Sequence, residues 1–231
     1  VAVTTGPGLI GSLLVGVETA RTLSFSLNKP LIPINHVYAH LYGAFLTDTK
    51  PKFPATGLIV SGGHTELLLL KNHGDYVRLG GTRDDALGEA FDKVAKILDL
   101  GYPGGPAIEK LALEGNPKAI KFPRPMINYD DYDFSYSGLK TAVVHEFQKN
   151  PNISKADLAA SFQEAALDVV VTKAMKAVEE YNVKSLIVAG GVAANGRLRE
   201  MCENKIPPSV PLHIPPLSLC TDNGVIIASC A

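Results

Sequence analysis

Short apolar runs that end on glycines and lead into helices set the architecture of this chain. Val1–Thr4 reads as a buried strand, Thr5-Gly-Pro-Gly8 as a turn, and Gly11–Leu27 carries apolar residues at helical spacing. The same order recurs at Ser185–Ala189, Gly190-Gly191 and a helix from Asn195. Between these units Leu31–Ile34 reads as a strand and His36–Phe45 as a helix. Thr56–Val60 and His64–Leu70 read as two strands joined by the tight turn Ser61-Gly62-Gly63. Helices are expected over Asp84–Leu100, Gly105–Gly115 and Tyr136–Lys149. Ser154-x-x-Asp157 resembles a capping box opening a long helix to about Tyr181. Ile120–Asp133 reads as an ordered loop, Val210–Ile214 as a strand, and Asp222 as the start of the last helix. Strands interleaved with helices imply a mixed α/β sheet. A lobe boundary is expected near Asp133–Tyr136, giving segments 1–134 and 135–231.

Composition supports a packed fold: 46% of the 231 residues are hydrophobic and 19% charged. The net charge of −1 argues against a chain that grips nucleic acid alone, so any such role needs a local patch or a helper subunit. Cys202, Cys220 and Cys230 show no CxxC spacing and make no disulfide framework, which favours a reducing compartment. No apolar run reaches membrane-spanning length. The chain opens directly on a strand without an initiator Met or signal peptide, and it stops inside a helix. A fragment, cut at both ends, is therefore expected.

Five motifs carry candidate chemistry. His36 and His40 stand one helical turn apart, which puts both imidazoles on one helix face within reach of a shared metal. Read alone, the pair also suits two histidines on a half-buried helix. It lacks the Glu of HExxH, and with it the general base of a zinc peptidase. In Val60-Ser-Gly-Gly-His-Thr-Glu-Leu67 two glycines let backbone N–H groups approach an anion, and Ser61 and Thr65 add hydroxyls; an ordinary hairpin turn would need glycine as well. His64 is a further candidate ligand or a shaper of that turn. Ile187–Asn195 delivers a strand to a glycine turn and a helix start, where open α/β sheets bind ligands. Asp92, in Gly88-Glu-Ala-Phe-Asp-Lys93, suits sugar hydroxyls or a surface ion pair with Lys93 or Lys96, and Tyr102-Pro-Gly-Gly-Pro106 follows it. Asp222, in Cys220-Thr-Asp-Asn-Gly224, reads as a helix N-cap or as the third ligand that a His–His pair requires. Phe134–Thr141 is distinctive, with Lys140 suited to a phosphate or to plain solvation.

Taken in order, these motifs resemble the tRNA N6-adenosine threonylcarbamoyltransferase family, once described as O-sialoglycoprotein endopeptidases, within the actin-like ATPase (ASKHA) folds. The resemblance rests on Thr5–Gly16, the His36/His40 pair, Val60–Leu67, Gly88–Lys93, Tyr102–Pro106, Asp133–Thr141, Ala189–Asn195 and Cys220–Asn223. Between the histidines the family often reads Met-Glu-Gly, where this chain has Val37, Tyr38 and Ala39.

The resemblance implies an α/β, actin-like two-lobe fold truncated at the N-terminus and slightly at the C-terminus. It implies that His36, His40 and Asp222 hold one divalent metal ion, iron or zinc. It implies that Ile59, Val60, Ser61, Gly62 and Gly63 contact the anionic part of the substrate, that Asp92 and Gly105 hold the ribose region with Glu109 beside them, and that Asn195 sits by the nucleotide. The implied reaction moves a threonylcarbamoyl group from threonylcarbamoyl-AMP to the exocyclic amine of the adenosine next to the anticodon, with ATP or ADP as a further occupant of the cleft. Implied partners are tRNA with a catalytically silent paralogue and a small ATPase in bacteria, or a second copy in mitochondria. The expected location is the bacterial cytoplasm, with the mitochondrial matrix as alternative, and no membrane. The competing classes are a metallo-endopeptidase, an actin-fold kinase or ATPase, and a non-enzymatic scaffold paralogue, which would lack the metal ligands.

Overall fold

The computed structural model describes residues 1–150 and 152–231. Its centre is a five-stranded mixed sheet in the order β5-β4-β3-β6-β7, built from β3 (Ala55–Val60), β4 (Thr65–Asn72), β5 (Asp75–Gly81), β6 (Ser185–Ala189) and β7 (Leu212–His213). β3 runs antiparallel to β4 and parallel to β6. The expected hairpin and the strand at Ser185–Ala189 are both present. β5 was not expected, and the expected strand at Val210–Ile214 shrinks to the two residues of β7.

β3 and β6 are buried along their whole length because helices cover both faces of the sheet. Side chains alternate between the faces with the period of two that a strand imposes. Leu58 and Val60 of β3, Leu67 and Leu69 of β4, and Leu186 and Val188 of β6 enter the larger core. Ile59, Leu68, Leu70, Ile187 and Ala189 point the other way. The larger core is filled by α3 (Leu87–Ile97), α4 (Gly104–Ala112), α5 (Ser137–Lys149) and α6 (Lys155–Glu180), with α7 (Gly196–Lys205) at its edge. α6 begins where the capping box predicts, with the Ser154 hydroxyl accepting from the Asp157 N–H.

The smaller core is covered by α2 (His36–Tyr42), which continues as a 3-10 turn over Gly43–Leu46. Close approach of α2 explains Gly57, because a methyl there would lie 2.9 Å from Leu70 and 3.0 Å from Leu41. A second sheet pairs β1 (Ala2–Gly6) in parallel with β2 (Ile32–Asn35), joined by α1 (Ile10–Leu27). After β7 come α8 (Leu217–Cys220) and α9 (Gly224–Cys230), and α9 packs its Ile226 against Ile34 and Ala39. β3–β5 precede and β6–β7 follow the expected lobe boundary at 134/135, so the two segments share one sheet.

Two expected boundaries move for identifiable reasons. The helix expected from Asp84 starts at Leu87, because Asp84 is engaged with residues 135–137 and the Leu87 N–H is taken by Thr65 Oγ1 at 2.8 Å. The last helix is capped by Asn223 rather than Asp222: Asn223 Oδ1 accepts from the N–H groups of Val225 and Ile226. That one-residue shift frees the Asp222 carboxylate from capping. Among the described residues no helix is long and apolar enough to cross a membrane.

Candidate metal and substrate site

α2 opens on the Asn35 cap, whose Oδ1 accepts from the Val37 and Tyr38 N–H groups, and this fixes the rotational phase of the helix. Val37 and Leu41 bury one side of α2 in the smaller core, and Ala39 packs on another side against Ile34 and Ile226. His36 and His40 project between these two sides with ring centroids 5.0 Å apart. α9 is held beside α2 by the Ser229 hydroxyl, which donates to the Tyr42 carbonyl at 3.2 Å. This packing delivers Asp222: its Oδ1 lies 3.4 Å from His36 Nε2 and 3.3 Å from His40 Nε2.

The three ligating atoms lie within 4.8 Å of one another. Two donors each ~2.1 Å from an ion in tetrahedral geometry would stand ~3.4 Å apart, so the spacing fits a shared ion. The donors are graded in exposure: the His40 side chain is 4% exposed, that of His36 23% and that of Asp222 76%. Burial, helped by the neighbouring His36, lowers the His40 pKa against the opposing pull of Asp222 and favours the neutral, ligating imidazole. Among the described residues His40 Nδ1 is buried without a hydrogen-bond partner, while its Nε2 faces the Asp222 carboxylate. Two imidazoles and one carboxylate, with the remaining directions open, suit iron or zinc.

These side chains form one wall of a cleft of about 1030 Å³. The same cleft is lined by Ser61, Gly62, Gly63 and His64 of the turn between β3 and β4 and by residues of β1, the turn after it and the start of α1, among them Pro7, Gly8 and Ser12. The turn is rigid: the Ser61 N–H donates to the His64 carbonyl at 2.8 Å and the His64 N–H to Ser61 Oγ at 3.0 Å. A methyl group on Gly62 or Gly63 would meet nothing within 4 Å, so here glycine leaves room for a ligand. The cleft lies at the carboxyl ends of the parallel strands β3 and β6, where α/β sheets commonly bind ligands.

The remaining sequence candidates do not line this cleft. Ile59 and Val60 are fully buried, with their side chains in the two cores, and neither lines the cleft. Asp92 lines a neighbouring cavity, and its Oδ1 accepts from the Gly104 N–H at 2.8 Å. Lys93 pairs with Asp85 and Glu89 instead of Asp92. Gly105 has open space around it at the start of α4. Glu109 accepts from the Gly196 N–H at 2.7 Å and lines a third, smaller cavity.

Asn195 is buried: its Oδ1 caps α7 through the Leu198 N–H and its Nδ2 donates to Gln163 Oε1 at 2.9 Å. Hydrogen bonds link the elements that carry the candidates: the Gly88 N–H donates to the Ser61 carbonyl, the Gly104 N–H to the Asp92 carboxylate and the Gly196 N–H to the Glu109 carboxylate. Two residues that the motifs do not single out, Gln163 and Arg199, join this network in the structure. Asn195 at a helix start offers a signal for Arg199, which lies one turn further along α7, but nothing local points to Gln163.

The family model for tRNA N6-adenosine threonylcarbamoyltransferase matches residues 1–229. Proteins of that name from Persephonella marina and Bacillus cereus are 52% and 51% identical to this chain, each over 99% of its length. The chain spans 67% and 68% of those relatives. Among solved structures, HypF of T. kodakarensis superposes with a TM-score of 0.72 at 18% identity, over 92% of this chain and 38% of that one. The activator of the 2-hydroxyisocaproyl-CoA dehydratase from Clostridium difficile, with bound ADPNP, gives 0.54 at 16% identity, over 86% of this chain and 66% of that one. These likenesses support the actin-like α/β fold.

Proposed function

The chain belongs to the tRNA N6-adenosine threonylcarbamoyltransferase family, and from that premise we propose that the cleft between His36, His40, Asp222 and the Ser61–His64 turn is where the group is transferred. The enzyme is an acyltransferase of tRNA modification. The donor is threonylcarbamoyl-AMP and the acceptor is the N6 amine of the adenosine next to the anticodon. The observation that carries this reading is the convergence of three ligating atoms within 4.8 Å in a cleft that a glycine turn also lines.

His36, His40 and Asp222 would hold a divalent ion, iron or zinc, which when bound would supply Lewis-acid polarisation of the donor. The chain's own residues do the rest. The Ser61–Gly63 turn presents backbone N–H groups and a hydroxyl to the phosphate, stabilising the charge that grows on the leaving group. Ile59 and Val60 anchor that turn from the buried end of β3. Asp92 and Gly105 hold the ribose region, the second oxygen of Glu109 supports it, and Asn195 orders the turn on the nucleotide side. The N6 amine attacks the carbamoyl carbon directly; the bond from that carbon to the phosphate oxygen breaks as the C–N bond forms, AMP departs, and the proton lost from the amine passes to solvent.

A metallo-endopeptidase is less consistent with the site. Among the described residues lining the cleft Asp222 is the one carboxylate, and it is used as a ligand. A near-neutral surface suits recruitment of tRNA with the help of a catalytically silent paralogue and a small ATPase, or of a second copy. The cytoplasm of a bacterium is the proposed location. In the intact enzyme with its partners, His36→Ala and Asp222→Ala are expected to abolish the modified nucleoside in tRNA digests read by mass spectrometry. Wild-type product from either variant would refute the metal role.

A further inference from the structure

Asp222 is the most exposed of the three ligands and comes from a short segment after a two-residue strand. Its carboxylate has no protein partner besides the two histidines among the described residues. Its position must therefore be fixed through the backbone on either side. On the C-terminal side Asn223 caps α9, and its Nδ2 donates to the Thr221 carbonyl at 2.7 Å. On the N-terminal side the anchor comes from a different element. Arg199, on α7, donates from Nη2 to the Pro215 carbonyl at 3.1 Å and to Cys220 Sγ at 3.5 Å, clasping both ends of the segment that carries α8. Cys220 is buried, and its thiol donates back to the Pro215 carbonyl at 3.4 Å, closing the clasp.

The same guanidinium donates from Nε to the Ala193 carbonyl at 2.8 Å. Ala193 belongs to the 3-10 turn Gly191–Ala194, which leads into Asn195. One planar cation thus holds the turn on the nucleotide side and the segment bearing the metal ligand at a fixed separation. Arginine suits this role because its donors diverge in one plane, whereas a lysine offers a single point of charge.

We propose that Arg199 is a positioning residue that sets the place of Asp222 relative to the His36/His40 pair and couples metal affinity to the nucleotide-side turn. The proposal rests on the metal reading of His36, His40 and Asp222 given above. Loss of the clasp lets the 215–222 segment drift, and the carboxylate then meets the ion less often while both imidazoles remain in place.

Titration of the metal-free intact protein with Co²⁺, followed by its visible absorption, tests this, because the intensity and position of those bands report coordination geometry. Wild type is expected to bind one Co²⁺ with a spectrum that His36→Ala erases. Arg199→Gln is expected to weaken Co²⁺ binding at least tenfold with an altered spectrum, and to raise the KM for the donor more than it lowers kcat. Arg199→Lys should fall between them, and it serves as the test if Arg199→Gln does not fold. Glu200→Gln, which removes only the exposed pairing with Arg197 on the same helix, should match wild type. Wild-type Co²⁺ affinity and spectrum in a folded Arg199 variant would overturn the proposal alone. Failure of wild type to bind Co²⁺ at a His36-dependent site would overturn the metal reading and this proposal with it.

Discussion

A methyl group at position 88 would lie 2.7 Å from the Ser61 carbonyl oxygen and 2.9 Å from Gly62 Cα. Gly88 is therefore the residue that lets α3 abut the turn facing the histidines, and its own N–H donates to the Ser61 carbonyl at 3.1 Å. Gly190 does the same from the other side: its φ of +97° is costly for side-chain-bearing residues, and a methyl there would run into the Val60 carbonyl. Gly88→Ala is expected to displace the turn by several tenths of an ångström and lower kcat/KM by about tenfold or more, since misplacement of positioning groups is costly in rate. Steady-state kinetics on a variant whose circular dichroism matches wild type checks this, and an unchanged kcat/KM would contradict it. Both glycines are visible in the sequence, but their reason is not. A glycine before a helix suggests local conformation, whereas the constraint at Gly88 comes from a carbonyl more than twenty residues away in sequence.

At the scale of elements, α5 begins without a cap of its own, and Asp84 supplies one from across the chain. Its carboxylate accepts from the N–H groups of Tyr136 and Ser137 and from the hydroxyls of Ser135 and Ser137. Partial burial pushes its pKa up, but these four hydrogen bonds outweigh that and hold the carboxyl below its ordinary value. The sign follows from linkage: the stabilisation is fully present above the unfolded pKa and is lost as pH falls through the lower folded value. Asp84→Ala should cost about 1 kcal/mol at neutral pH, as loss of a partly exposed cap does. Urea midpoints of wild type and variant should converge as the pH is lowered below ~4. A gap that persists unchanged at pH 2 would contradict the account. The sequence showed where helices lie, because apolar spacing is local, and Ser154 capped α6 as its motif suggested. A helix from Asp84 and an N-cap at Asp222 are what the local sequence suggests, with Asp222 open to a ligand role as well, and only packing decides which carboxylate serves which helix. Asp84 went to α5, and Asn223 took the place given to Asp222.

Across the whole molecule, the long helix α6 ties the loop before α5 to the sheet through Lys173. This ammonium is buried at 1% exposure, yet it donates to the carbonyls of Asp131 and Asp133 and to the Asp131 carboxylate. Burial lowers its pKa, and these partners offset the cost of holding the charge. Lys173→Ala should lower stability by about 2 kcal/mol, because it leaves the Asp131 and Asp133 carbonyls without this donor, and chemical denaturation would detect it. In an apolar helix this lysine looks like a surface residue from sequence alone, since its acceptors come from a loop of irregular backbone.

The histidine pair was legible because both ligands sit on one helix at fixed spacing. The place of Asp222 depends instead on α9 packing against α2 and on Asn223 relieving it of the cap. The most direct test of this arrangement is metal content alongside transfer, measured on one preparation of the intact enzyme and its Asp222→Ala variant. The account predicts about one iron or zinc per chain in wild type, with little metal and no threonylcarbamoyl-adenosine product in the variant. Full transfer by a metal-free variant would contradict it.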